Sequence, residues 1–253
     1  MNSLNVTDLS LAMTFALVLL AMFISSKEKL GLSKDIIYSV LRAIIQLTIV
    51  GYVLKYIFQV NNVFLTLAMG LLIIINASWA AYKRNPSQNK KFINSFLAIF
   101  ISTTITLTVL FISRAIKLVP SQIVPITGMI ASNSMIAVGL CYNTMGSQFH
   151  DQRQQVLEKL SLGATPKQAS LSILRASIRT AMQPTIDSAK TVGLVSLPGM
   201  MSGLIFAGVD PVHAIRYQIM VTFMLLSATS IGTGIAGYRN YQCYFNKEKQ
   251  LTI

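Results

Sequence analysis

Seven stretches of this chain are apolar at nearly every position, and the positions between them are polar and mostly basic. The stretches are Leu9–Ser25, Ile36–Phe58, Val63–Tyr82, Phe92–Ser113, Ile123–Met145, Ile186–Ala207 and Tyr217–Tyr238. Each approaches the roughly 20 residues that a helix needs to cross a hydrocarbon core of about 30 Å. The pattern predicts an all-α, polytopic membrane helix bundle of about seven transmembrane helices. Two stretches are interrupted. The fifth holds Pro125, Gly128, Asn133 and Gly139, and the sixth holds Lys190, Gly193, Pro198 and Gly199.

The charge between the stretches alternates. The first, third and fifth connections and the C-terminal tail carry Lys27, Lys29, Lys34; Lys83, Arg84, Lys90, Lys91; Arg153, Lys159, Lys167, Arg175, Arg179; and Arg239, Lys247, Lys249. The opposite connections carry Arg114 and Lys117, with Arg216 at a boundary. Basic residues collect on cytoplasmic loops, so the expected topology is N-out/C-in. No Lys or Arg precedes the first apolar run, which therefore reads as a span and not as a signal peptide.

Composition agrees. Of 253 residues, 53% are hydrophobic and 11% charged, where a soluble domain carries about a quarter charged residues. The net charge of +13 sits in short clusters between apolar runs, which argues for loops at a lipid bilayer and against nucleic acid. Cys141 lies in a span and Cys243 in the tail, so a structural disulfide is not expected. The whole of 1–253 reads as one transmembrane domain, on the inner (plasma) membrane of a cell, with a long cytoplasmic segment over 146–184.

That segment predicts a helical elbow. A first helix should end near Gly163, glycine being the usual residue just past a helix C-terminus. Thr165 then caps a second helix and Pro166 occupies its first position. Leu171, Leu174 and Ile178 share helical spacing, and Arg175 and Arg179 form a separate row. The elbow is either an amphipathic linker on anionic lipid or a docking site.

Leu162-Gly163-Ala164-Thr165-Pro166 resembles the Leu-Gly-Ala-Ser/Thr core of the coupling loop in ABC transporter permeases. The importer motif has a glutamate six residues before its glycine; here that position is Leu157, and Glu158 is five before. Over the longer runs Ser132-Asn-Ser-Met-Ile-Ala, Glu158-Lys-Leu-Ser-Leu-Gly-Ala-Thr-Pro and Thr185-Ile-Asp-Ser-Ala-Lys-Thr-Val-Gly-Leu-Val-Ser-Leu-Pro-Gly-Met-Met-Ser-Gly, the chain is similar to the UPF0014 family. That family includes a bacterial permease assigned to iron export and plant permeases linked to aluminium tolerance. The resemblance implies a permease subunit, working as a homodimer with a separate ABC ATPase subunit. It implies that Glu158, Leu162, Gly163, Ala164, Thr165 and Pro166 couple to that ATPase. No Gly-x-x-x-x-Gly-Lys-Ser/Thr phosphate loop occurs in the chain, so no cofactor is expected on it, and ATP and Mg belong to the partner.

Polar and soft groups within spans are candidates for a translocation pathway. Asp187 and Lys190 share a helix face near the expected cytoplasmic end of the sixth span. They form either a neutralised structural pair or a gating or substrate-contact pair. Arg42 and Lys55 are expected to snorkel. Asp210-Pro211 reads as an N-cap and first position of the last helix. Asn133, Ser134 and Met135 stand opposite a Pro198-Gly199 break flanked by Met200 and Met201, and such a break frees backbone carbonyls. Met129, Met135, Cys141, Met200 and Met201 are candidate soft-metal ligands, with core packing as the competing role.

The functional expectation is metal export, iron or another metal ion. The alternatives are a nucleotide sugar or other organic anion as substrate, and a secondary transporter, scaffold or membrane enzyme without an ATPase partner.

Overall fold

The structure, a computed structural model, describes residues 8–60, 62–246 and 248–252, with side chains from Met13 onward. Lys247, and the side chains of the first span before Met13, lie outside the described residues. The chain forms two compact units, Met1–Asn61 and Asn62–Ile253.

In the first unit, α1 (Asp8–Lys27) and α2 (Ser33–Val60) are joined by a short connection. Lys29 and Gly31 both take positive φ there, and the Ser33 hydroxyl donates to Ser25 Oγ at 3.3 Å. Arg42 and Lys55 are exposed on α2.

The second unit holds α3 (Val63–Lys83), α4 (Phe92–Ile112), α5 (Pro120–Asp151), α6 (Arg153–Ser161), α7 (Pro166–Thr191), α8 (Gly199–Phe206) and α9 (Pro211–Asn240), followed by a 3-10 turn over Tyr241–Tyr244. The protein is a helical membrane bundle: α2, α3, α4, α5 and α9 are each long and apolar enough to cross a membrane. Their bounds follow the apolar runs closely because nothing inside those runs competes with the helix.

α5 and α9 are the central pair; α3 packs on α5, α4 on α9, and α7 on both α5 and α9. Small residues let these backbones approach. Ala77, Ser78 and Ala81 of α3, Ser95, Ala98 and Ser102 of α4, Ala131 and Ser134 of α5, and Ala228, Gly232 and Ala236 of α9 are buried. In lipid the hydrophobic effect gives little reason for helices to associate, so close van der Waals packing of small residues carries the contact.

The sixth span differs from expectation. Ile186–Ala207 is not one helix. α7 begins at Pro166 and runs without interruption past Pro184 to Thr191, so the second arm of the elbow and the first six residues of the expected span are one helix of 26 residues. The remainder is a turn over 192–198 followed by the eight-residue α8. Gly193, with φ +86°, makes the turn. Pro184 fails to end α7 because the flanking helix packs along α5 and α9, whose contacts outweigh one lost hydrogen bond. The fifth helix also runs six residues beyond Met145, to Asp151, before the elbow begins.

Candidate functional site

The elbow forms as its residues require. α6 ends at Ser161, and Gly163 takes φ +86°, the left-handed conformation that closes a helix C-terminus. Thr165 then caps α7. Its hydroxyl accepts from the Gln168 amide at 3.3 Å while Gln168 Oε1 accepts from the Thr165 amide at 2.9 Å, a reciprocal capping box. Pro166 sits at the first helical position. Leu162 projects from the tip with 87% of its surface exposed. Ala164 packs inward, and Glu158 is exposed, accepting from Gln154 Nε2 at 3.3 Å.

Behind the tip, the elbow is tied to the bundle. Val156 of α6 and Ala169, Ile173 and Leu174 of α7 are buried in one cluster with Cys141, Met145, Phe149, Tyr244 and Phe245. The Phe149 and Tyr244 rings stack with centroids 4.3 Å apart. Leu171 and Ile178 pack against the same cluster, while Arg175 and Arg179 stay exposed. The loop before α4 closes this end. Asn85 donates to Asn240 Oδ1 at 2.6 Å, and the Ser87 hydroxyl donates to the Cys243 carbonyl at 3.0 Å, all buried. Cys141 and Cys243 are both free and buried.

The other end of α7 is open. A cavity of about 330 Å³ lies beside the turn, lined by Asn133, Thr185, Ser188, Gln218, Thr222 and Pro198 among others. A second of about 360 Å³ shares Ala189, Val192, Gln218 and Thr222 with it and extends to Gly193, Leu197 and Met201. Asn133 lies thirteen residues into α5, and Gln218 seven into α9. At 1.5 Å per residue these are about 20 and 10 Å from the helix starts, within the thickness of a hydrocarbon core.

The expected pathway residues separate on the structure. Asn133 and Pro198 line the first cavity and Met201 the second. Gly199 starts α8, with nothing within 4 Å of where its Cβ would stand. Ser134 faces α4, 3.5 Å from Ser102 Oγ, and Met135 packs into the core of α3, α4, α5 and α9. Asp187 and Lys190 do pair, at 3.4 Å, with Gln183 donating to both Asp187 oxygens at 2.9 and 3.0 Å. They are exposed, and lie in the last two turns of α7, far from the elbow and level with the cavities. α7 starts twenty residues before the expected sixth span, so both residues lie near its C-terminal end.

The soft candidates also divide. Cys141 lies in the elbow-end cluster. Met129 and Met200 meet at a separate cavity of about 110 Å³ with Met220, Tyr217 and Gln122. Among the described residues no group of three or more His, Cys, Asp or Glu could hold a metal ion. Gln218, Thr222 and Met220 escaped the sequence reading because each is a single polar or soft residue in an apolar run. Only the packing of α9 against the turn selects them. Asp210 caps α9 as expected, accepting from the Val212 and His213 amides at 2.9 and 3.3 Å. The His213 amide foremost holds its carboxyl below the usual range.

The uncharacterised protein family UPF0014 has a family model that matches residues 8–245. A protein of Escherichia coli (strain K12) named "Probable iron export permease protein FetB" is 60% identical over 253 residues, covering 100% of this chain and 98% of that protein. The "UPF0014 membrane protein YjkA" of Bacillus subtilis (strain 168) is 37% identical, covering 96% of this chain and 97% of its own. "Protein ALUMINUM SENSITIVE 3" of Arabidopsis thaliana is 33% identical, covering 95% and 88%. No solved structure matches.

Proposed function

The chain belongs to the UPF0014 family, and from that premise we propose that it is the permease subunit of an ATP-driven transporter that exports iron or another metal ion. It works as a homodimer with two copies of a separate ABC ATPase, in the plasma membrane of the cell. The name of the Escherichia coli relative supports the cargo and its direction. The observation that carries the ATPase reading is the elbow: an exposed Leu162 on a glycine turn, fastened from behind by Val156 and Leu174. A docking tip must be exposed to meet a partner and anchored to pass on its movement, and this one is both.

The elbow and the cavities are joined by α7, 26 residues long and hence about 39 Å. Closure of the ATPases on the elbow moves α7 along α5 and α9, and its far end reshapes the cavities. Basic residues on the elbow and the C-terminal tail support a cytoplasmic position for both. In this reading α7, with the turn and α8 that follow it, supplies the sixth crossing.

The test is reconstitution of the full chain with a candidate stand-alone ATPase. Co-purification and ATPase activity stimulated by Fe(II) are expected. A tagged chain that never retains a nucleotide-binding subunit in its native membrane overturns the ABC reading, and a pair stimulated by no metal overturns the cargo.

A further inference from the structure

A cavity of about 720 Å³ lies at the elbow end of the bundle, between the start of α4 and the end of α9. Its volume falls in the roughly 300–1,000 Å³ range of ligand sites. Lys91, Arg239 and three amide-bearing residues, Asn89, Asn94 and Gln242, line it, and its lining holds no Asp or Glu. Neither cation joins an ion pair among the described residues. Two like charges thus share one cavity with no opposite charge to offset them.

The guanidinium is held in place. Asn94, buried in the first turn of α4, accepts from Arg239 Nε at 3.2 Å, and its own amide donates to the Arg239 carbonyl at 3.5 Å. Arg239 is fixed by that one nitrogen, and its two terminal nitrogens make no hydrogen bond among the described residues. A fork presented in this way matches two oxygens of one phosphate or carboxylate. Lys91 is exposed and its ammonium is equally unengaged among the described residues. It stands at the N-cap of α4, which has no side-chain cap, so the helix start adds partial positive charge beside it.

The level of the cavity along the spans narrows the choice of anion. Lys91 immediately precedes α4 and Arg239 lies in the last turn of α9, so both sit where an apolar span ends. An aromatic cluster marks the same end: the rings of Trp79 and Tyr82 of α3 and Phe92 of α4 have centroids 5.5, 5.8 and 6.2 Å apart. Trp79 is exposed, and so is Tyr238, which lines the cavity. Exposed Trp and Tyr gather at the headgroup level of a bilayer. Lys83 lies over the Trp79 ring at 5.8 Å, at the same level but outside the cavity.

A metal ion would meet two cations here and no carboxylate. A zwitterionic headgroup would bring its ammonium against Lys91 and Arg239, with no acid to receive it. We infer that this cavity binds the phosphate of an anionic phospholipid, of the phosphatidylglycerol or cardiolipin class, with Arg239 and Lys91 on the phosphate oxygens and Asn94 positioning Arg239. Basic pockets between spans at a membrane surface recognise such headgroups, and Ile93, exposed at 47%, adds apolar lining for the start of an acyl chain. The inference rests on the membrane placement of α4 and α9 and is independent of the cargo and of the ATPase. Bound there, the lipid offsets the repulsion of the two cations and ties the start of α4 to the end of α9, behind the elbow.

The full chain, purified and delipidated in detergent, is titrated with dioleoyl phosphatidylglycerol, cardiolipin, dioleoyl phosphatidylcholine and inorganic phosphate. Bound lipid is counted by native mass spectrometry and stability is read as the melting temperature. Phosphatidylglycerol and cardiolipin are expected to stay bound and to raise the melting temperature, with phosphatidylcholine at least about tenfold weaker. Arg239→Gln and Lys91→Gln are each expected to weaken phosphatidylglycerol about tenfold, the worth of one hydrogen bond to a charged group. Arg239→Lys, which keeps the charge and loses the fork, should fall between the wild type and Arg239→Gln. Lys83→Gln, which removes the same charge outside the cavity, should stay within about twofold of the wild type.

Equal retention of phosphatidylcholine and phosphatidylglycerol, or equal losses in Lys83→Gln and Lys91→Gln, reduces the effect to general surface charge and overturns the site. Inorganic phosphate that raises the melting temperature as much as the lipid at the same concentration assigns the cavity to a soluble anion and overturns the lipid. Variants that keep their lipid but lose a co-purifying protein subunit make the cavity a protein contact, which also overturns the inference. Should Arg239→Gln misfold, as a lowered melting temperature before lipid is added reveals, Lys91→Gln decides.

Discussion

The two ends of α7 are built on opposite principles. At the elbow end, Leu174 is buried against Gly237 so closely that a Cβ on that glycine would stand 2.9 Å from Leu174 Cδ1. Gly146 of α5 is pressed as hard, with Pro86 Cγ where its Cβ would stand and Tyr244 Oη 3.2 Å away. At the break end, Gly193, Gly199 and Gly203 have nothing within 4 Å of a Cβ, and Leu194 and Val195 are 89% and 82% exposed. Behind the elbow tip the packing leaves no room for a methyl group at Gly146 or Gly237; the other end borders two cavities. A tightly packed end transmits displacement because it cannot absorb it, and a loosely packed end converts displacement into a change of shape.

The comparison can be broken most directly at its tight end. Gly146→Val drives a branched side chain into Pro86 and should cost about 3 kcal/mol, seen as a lowered melting temperature in detergent. Gly203→Val, on the open α8, should cost nothing measurable. Equal losses at the two sites would erase the distinction.

Next in size is Gly163→Val. No neighbour obstructs it, so its effect is confined to the left-handed backbone, which costs a branched residue about 1–2 kcal/mol. On the proposed ABC reading the chain should still insert and bind an ATPase subunit, with ATP hydrolysis retained and transport reduced at least about tenfold. Wild-type transport in this variant would remove the elbow as the coupling point.

Thr165→Ala deletes one half of the capping box and should destabilise the start of α7 by about 1 kcal/mol. Faster amide exchange at Lys167 and Gln168, with no change at Val192 or Gly193, would show that the two ends loosen independently.

The smallest effect is a pH dependence beyond the break. Asp210 has a lowered pKa in the folded chain. Its stabilising contribution is therefore complete above the unfolded carboxyl value of about 3.9, and is lost as pH falls from there through the folded value. Amide exchange at Val212 and His213 should be flat from pH 7 to about 5, after correction for intrinsic rates, and rise only in stronger acid. Asp210→Asn, which keeps an accepting oxygen, should lack that rise.

Much of this was legible in the chain. Six of the seven apolar runs each fall, to within one residue, inside a single helix. The turn at Gly163, the N-cap at Thr165 and the cap at Asp210 formed as read, because each depends on neighbours within four residues. The sixth run misled because hydropathy marks where apolar residues lie and says little of where a helix starts. The polar first half of α7 is helical by virtue of one buried face, Ala169, Ile173, Leu174 and Ala181, packed on α5 and α9.

By itself the sequence determined a helical membrane protein with a glycine-turned helical elbow, since both follow from composition and from short-range backbone preference. Only the tertiary structure decided which polar residues meet. Asn133 and Gln218 are 85 positions apart and share a cavity, whereas the adjacent Met200 and Met201 line different ones. The reason is geometric: successive residues on a helix point about 100° apart, so neighbours in sequence diverge, and a pathway is assembled from whichever faces the packing of separate helices turns toward one another.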